Sequence, residues 1–185
     1  MTTRRSLLLS AVLALAGAAP RAPATADVRV SAPKPPPNLV VVSDRLVTSG
    51  QPSAEWLRTL KTQGFGAVVY LAPPTVPDAE REEASIVTGQ GLAFINIPIR
   101  FEQPQPGDYE QFAATMGGLA ARKVLVHCQI NLRASSMVFL YRAIALREDP
   151  ERAYEAVSRV WKPDDVWRRY IEARLRRDGI TFQPY

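Results

Sequence analysis

Lys123-Val-Leu-Val-His-Cys-Gln-Ile-Asn-Leu-Arg-Ala-Ser135 holds the only histidine, His127, and the only cysteine, Cys128, of this 185-residue chain, with Arg133 five positions past the cysteine. A short apolar run ends in His-Cys, a polar loop follows, and Ala134 to Leu146 reads as an apolar helix. That order puts a thiol at the C-terminal end of a strand and at the positive N-terminal end of a helix. Such surroundings favour a thiolate, and backbone N–H groups there cradle an anion. A thiolate beside an oxyanion cradle and a forked guanidinium suits transfer of a phosphoryl group onto sulfur. The plain alternative for a lone cysteine is a small buried hydrophobe. The flanking His127, Arg133 and Ser135 favour chemistry instead.

Outward from this stretch, strands and helices alternate. Leu39–Val42, Leu46–Thr48, Ala67–Leu71, Leu92–Ile97 and Lys123–His127 are β-like runs bounded by turn residues. Ser53 reads as the N-cap of a helix carrying Trp56, Leu57 and Leu60 and stopped by Gly64. Residues 78 to 90 read as a polar helix with Gly91 after its end. Arg100 to Gly107 is a Pro-rich loop. Asp108 then caps a helix with Tyr109, Phe112, Met116 and Leu119 at helical spacing. Asp149-Pro150 and Pro163-Asp164-Asp165 open two more helices, the last with Val166, Trp167, Tyr170, Ile171 and Leu175 on one face. The pattern predicts an α/β fold: a small central, mostly parallel sheet flanked by helices.

The N-terminus has a different character. Arg4-Arg5 precede an apolar run from Ser6 to Ala19, and Ala24-Thr25-Ala26 offers a small-residue cleavage site. Residues 1–26 therefore read as an export signal, by the general or the twin-arginine route, too short to span a bilayer comfortably. Residues 27–38, with Pro33 and Pro35-Pro36-Pro37, read as an extended tether, and 39–185 as one catalytic domain. The expected location is the bacterial periplasm, with no stable membrane insertion once the signal is cleaved. Cleavage removes Arg4, Arg5 and Arg21 and no acidic residue. The formal charge falls from +5 to +2, twenty basic against eighteen acidic residues, which argues against a nucleic-acid partner. The arginines at 168–169 and 174–177 read as a solvated helix face. One histidine beside one cysteine cannot supply a zinc site, and no metal or cofactor is expected.

Val126-His-Cys128 followed by Arg133-Ala-Ser135 resembles the active-site loop of the cysteine-dependent protein tyrosine phosphatase superfamily. Leu46-Val-Thr-Ser-Gly-Gln-Pro52 and Ala67-Val-Val-Tyr-Leu71 resemble the opening of small bacterial dual-specificity-like phosphatase domains. The resemblance spans residues 38 to 175 and implies a dual-specificity-phosphatase-like fold. It departs from the usual loop in one respect: four residues separate Cys128 from Arg133 where the superfamily has five. Ser135 keeps its usual distance from the cysteine, and Asn131 stands at the customary glycine. The four-residue gap also resembles that of rhodanese sulfurtransferases. A persulfide enzyme, or a catalytically weak oxyanion-binding module, is the alternative.

The phosphatase resemblance implies roles residue by residue. Cys128 attacks phosphorus and forms a cysteinyl-phosphate. Arg133 grips two phosphate oxygens, and the backbone of Gln129, Ile130, Asn131, Leu132 and Arg133 completes the cradle. Ser135 assists departure of the sulfur, and His127 supports the loop from behind. The general acid is expected in the Pro-rich loop, as Glu102 or, second, Asp108. The substrate would be a phosphorylated protein, phosphotyrosine included, or a small phosphomonoester.

Overall fold

The computed structural model describes residues 32–183. The expected export signal and the tether up to residue 31 lie outside the described residues. Five strands form one sheet in the order β1-β2-β5-β3-β4, with β1 Val40–Ser43, β2 Leu46–Ser49, β3 Ala67–Tyr70, β4 Ala93–Asn96 and β5 Val124–His127. β1 pairs antiparallel with β2, and the other pairings are parallel. The short Asp44-Arg45 turn lets β1 and β2 pair directly, whereas each parallel neighbour needs a crossover. β5 occupies the middle, and all four of its residues are buried.

Helices cover both faces. α1 (Ala54–Leu57) and α2 (Glu83–Gly89) pack on one side, where Val47, Val68 and Leu125 meet Trp56, Leu57, Leu60 and Val87. α3 (Pro106–Gly118), α4 (Leu132–Leu140), α5 (Pro150–Ser158) and α6 (Asp165–Arg177) belong with the larger core, where Val124, Val126 and Val69 meet Phe112, Met137, Tyr154 and Trp167. The alternation of Val124, Leu125 and Val126 between the two cores is the period-2 signature of a strand buried on both faces.

Several expected boundaries move. Ser53 does cap α1, its Oγ accepting from Trp56 N at 3.2 Å, but regular helix ends at Leu57 and tighter turns continue to Gly64. The helix expected over 78–90 is regular only from Glu83. Pro77 and the turns after it leave Asp78 in the β3–α2 loop. α3 starts at Pro106, with Gln105 as N-cap and Asp108 inside the first turn. α4 starts at Leu132, two residues earlier than expected, and passes into a π-helical turn over Tyr141–Ala145. The end of the expected tether is built into the domain: Pro36 is buried, Pro37 O accepts from Gly50 N at 2.7 Å, and Asn38 bonds the Cys128 loop.

Candidate active site

The register brings Ser49 of β2, Tyr70 of β3 and His127 of β5 level at the C-terminal ends of three adjacent parallel strands. Ligand sites of open α/β sheets lie beyond such strand ends. Cys128 is the next residue after β5, its N–H donating to Ser49 O at 3.3 Å. Only Gln129, Ile130 and Asn131 separate it from α4. The first-turn N–H groups of α4 have no intrahelical acceptor, and they open toward the loop.

So tight a turn needs one residue of left-handed backbone, and Asn131 supplies it at φ 73°. Its side-chain amide donates to Asn38 O at 2.6 Å and to Thr48 Oγ1 at 3.0 Å, while Asn38 Nδ2 donates to Ile130 O at 2.9 Å. Gln51 N donates to Gln129 O at 2.9 Å. Gly50 is required between them, because a Cβ there would stand 2.8 Å from Gln129 O and 3.1 Å from Ile130 Cα.

In front of the loop lies a cavity of about 220 Å³ lined by Cys128, Gln129, Ile130, Leu132, Arg133, Glu102, Phe101 and Asp78. Arg133 projects from the first turn of α4. Its guanidinium lies 5.1 Å from the Phe101 ring centre, Nη1 donates to Gln129 Oε1 at 3.3 Å, and Nε is buried with no partner. A buried guanidinium N–H without an acceptor is costly. Arg133 lines the same cavity as the cysteine, and a guanidinium there is suited to an anionic oxygen. Gln129 continues the chain outward, Nε2 donating to Asp78 Oδ1 at 2.7 Å.

Glu102 lines this cavity and is exposed. Asp108 does not line it. Its Oδ2 accepts from Gln105 N at 2.7 Å and closes the N-terminus of α3, so the second candidate for the general acid serves as a helix cap. Ser135 is buried in α4, and its hydroxyl donates to Leu132 O at 3.2 Å rather than to sulfur. His127 lies behind the loop, fully buried, stacked on Tyr70 at 4.8 Å between ring centres. Its Nε2 is 2.6 Å from Glu83 Oε1. Burial, reinforced by the Glu83 charge, pushes the Tyr70 phenol well above its ordinary value.

Asp78, Phe101, Asn38, Gln51 and Glu83 are site residues that the sequence reading did not single out. Pro77 was a usable sign that Asp78 lies in a loop. For Glu83 the sign was its place four residues before buried Val87, on one helix face. Among the described residues no cluster of His, Cys, Asp or Glu could hold a metal ion, and no helix is long and apolar enough to cross a membrane.

A buried cysteine at the end of the central strand, an arginine in the first turn of the following helix, and helices on both faces of a mostly parallel five-stranded sheet define the dual-specificity-phosphatase-like fold of the cysteine-dependent phosphatase superfamily. Residues 38–169 match the sequence model of the PTP-NADK family, described as a DSP-PTPase phosphatase fused to NAD+ kinase, and the chain belongs to that family. Among solved structures, the DUF442 protein of Shewanella putrefaciens CN-32 is 26% identical, with a TM-score of 0.70 over 76% of this chain and 93% of that one. The core catalytic domain of the PP-IP phosphatase SIW14 from S. cerevisiae is 15% identical, with a TM-score of 0.62 over 75% of this chain and 86% of that one. TpbA of P. aeruginosa is 18% identical, with a TM-score of 0.57 over 75% and 83%. The last two show a common fold alone. No curated protein matches the chain in sequence.

Proposed function

We propose that the chain is an exported phosphatase that hydrolyses phosphomonoesters through a cysteinyl-phosphate intermediate. One observation carries this reading: Cys128 and Arg133 line one cavity at the N-terminus of α4, together with a carboxylic acid, Glu102. In the first step the Cys128 thiolate attacks phosphorus. The P–O bond to the leaving group breaks, and Glu102 gives its proton to the departing oxygen. Arg133 and the loop amides hold the non-bridging oxygens as charge gathers on them. In the second step Glu102 takes a proton from water, the water oxygen attacks phosphorus, and the S–P bond breaks to restore the thiolate. Glu102 suits this role because its carboxyl makes no hydrogen bond or ion pair among the described residues, whereas Asp78 is tied to Gln129.

The lining also bears on the substrate. Arg133 is the one cation among the described lining residues, against two carboxylates and the apolar Phe101, Ile130 and Leu132. Such a wall accepts a single phosphoryl group on an aromatic or apolar body better than a densely phosphorylated one. TpbA, of like fold, has been crystallised in a cysteine-to-serine form with phosphotyrosine. An aryl phosphate such as phosphotyrosine is the favoured substrate.

The deciding experiment is hydrolysis of an aryl phosphate by the reduced protein beside a Cys128→Ser variant. Turnover should fall by at least about four orders of magnitude in the variant. A folded, reduced wild type without turnover sinks the reading, and transfer of sulfur from thiosulfate to Cys128 is then the reaction to try. Export is tested separately by fusing residues 1–26 to a reporter active only outside the cytoplasm; a silent reporter removes the periplasmic assignment.

A further inference from the structure

Beside the cavity at Cys128 lies a second hollow of about 460 Å³, and the two share Asp78, Gln129 and Ile130. At about 220 Å³ the first is below the size that encloses a drug-sized ligand, so a larger substrate extends past it. A substrate that leaves the cavity over the shared residues enters the second hollow. Pro37, Pro52 and Pro77 line that hollow, and Ile130 is 50% exposed. Its walls are fixed in place. Pro37 O accepts from Gly50 N at 2.7 Å, Asn38 Nδ2 donates to Ile130 O at 2.9 Å, and the proline rings lock their own φ. The charge is one-sided: Asp78 and Glu80 are the only charged residues among its described lining, and both are acidic. Asp78 Oδ1 accepts from Gln129 Nε2 at 2.7 Å, and Glu80 Oε1 accepts from Glu82 N at 3.1 Å. The second oxygen of each carboxylate has no partner among the described residues.

Building on the phosphatase reading, we propose that this hollow is a subsite for the polypeptide around the phosphorylated residue, and that it selects a neighbouring lysine or arginine. A long basic side chain matches both features of the hollow. Its methylene stem lies along Ile130 and the prolines, and its charged head reaches the free oxygens of Asp78 and Glu80. Walls already fixed in shape cost little to order when the peptide binds. A flanking aspartate or glutamate meets two like charges instead. A small phosphomonoester leaves the hollow unused. The whole chain has a formal charge of +5, so general attraction would favour an acidic peptide. A preference for basic flanks therefore reports this wall and not the overall charge.

Three phosphotyrosine peptides of equal length test this, with lysine, alanine or glutamate on both sides of the phosphotyrosine. Their binding is measured to the Cys128→Ser protein, so that the readout does not depend on turnover. The lysine peptide should bind about tenfold more tightly than the glutamate peptide, with the alanine peptide between them. The ratio should shrink as salt is raised. Adding Glu80→Lys should bring the ratio down to about one or below. If that protein does not fold, Glu80→Gln should lower the ratio in the same direction by less. The ratio is taken within each variant, so a general loss of affinity leaves it readable. Equal binding of the three peptides, tighter binding of the glutamate peptide, or no binding of any overturns the proposal. So does a lysine preference that both Glu80 variants leave unchanged. Selective binding of the lysine peptide beside a wild type that hydrolyses none of them counts against the proposed function and leaves the subsite standing.

Discussion

The two sides of the Cys128 loop are built on opposite principles. The front is half open: Glu102, Asp78 and Ile130 are exposed, and the cavity that Glu102 and Asp78 line reaches Cys128 and Arg133. The back is closed: Asn131, Thr48 and His127 are fully buried and Glu83 nearly so, Asn131 bonded to Thr48 and His127 set against Glu83. Groups proposed to bind an anion and move protons need access to water. Groups that hold a four-residue gap in one shape do not. Changes at the front should therefore cost rate with little stability, and changes at the back should cost stability first.

The largest effect falls on the front. Arg133→Lys replaces a fork with a point charge, and kcat should drop about 10²- to 10³-fold with the melting temperature nearly unchanged. A drop in stability larger than the drop in rate would erase the distinction between the two sides. Glu102→Gln comes next. About 10²-fold should be lost on an alkyl phosphate and much less on an aryl phosphate with a good leaving group, because only the poor leaving group needs the proton. Equal losses on both substrates would remove Glu102 as the acid and turn attention to Asp78.

On the back, Asn131→Ala takes away two hydrogen bonds and leaves alanine at φ 73°. Unfolding in denaturant should show a loss of about 2 kcal/mol, with any rate loss following from the misplaced loop. The smallest effect is expected from Asp108→Ala, which removes a helix cap worth about 1 kcal/mol. Its leaving-group dependence should match wild type. A selective loss on alkyl phosphates would return Asp108 to the list of acids.

Much of this was legible in the chain. The alternation of apolar runs and helical spacing anticipated five strands and the parallel sheet, and all of Tyr109, Phe112, Met116 and Leu119 are buried as their spacing required. Cys128, Arg133 and Glu102 could be named as candidates because their chemistry is local or lies in a recognisable loop. Ser135 and Asp108 show the limit. Both have two plausible hydrogen-bond partners, and the choice between them depends on where a helix begins. α3 begins at Pro106 and α4 at Leu132, which turns Asp108 to Gln105 N and Ser135 to Leu132 O.

By itself, the sequence determined the order of elements and put forward the candidate nucleophile and its arginine, because apolar periodicity and the spacing of Cys128 and Arg133 are properties of neighbours along the chain. Only the tertiary structure decided what stands around them. Asn38 and Asn131 are 93 positions apart, Gln129 and Asp78 are 51, and Gln51 and Glu83 are 32, so no local pattern records those contacts. They exist because the parallel register brings β2, β3 and β5 to one level at their C-terminal ends, and the loops and helices that follow must share the small space beyond.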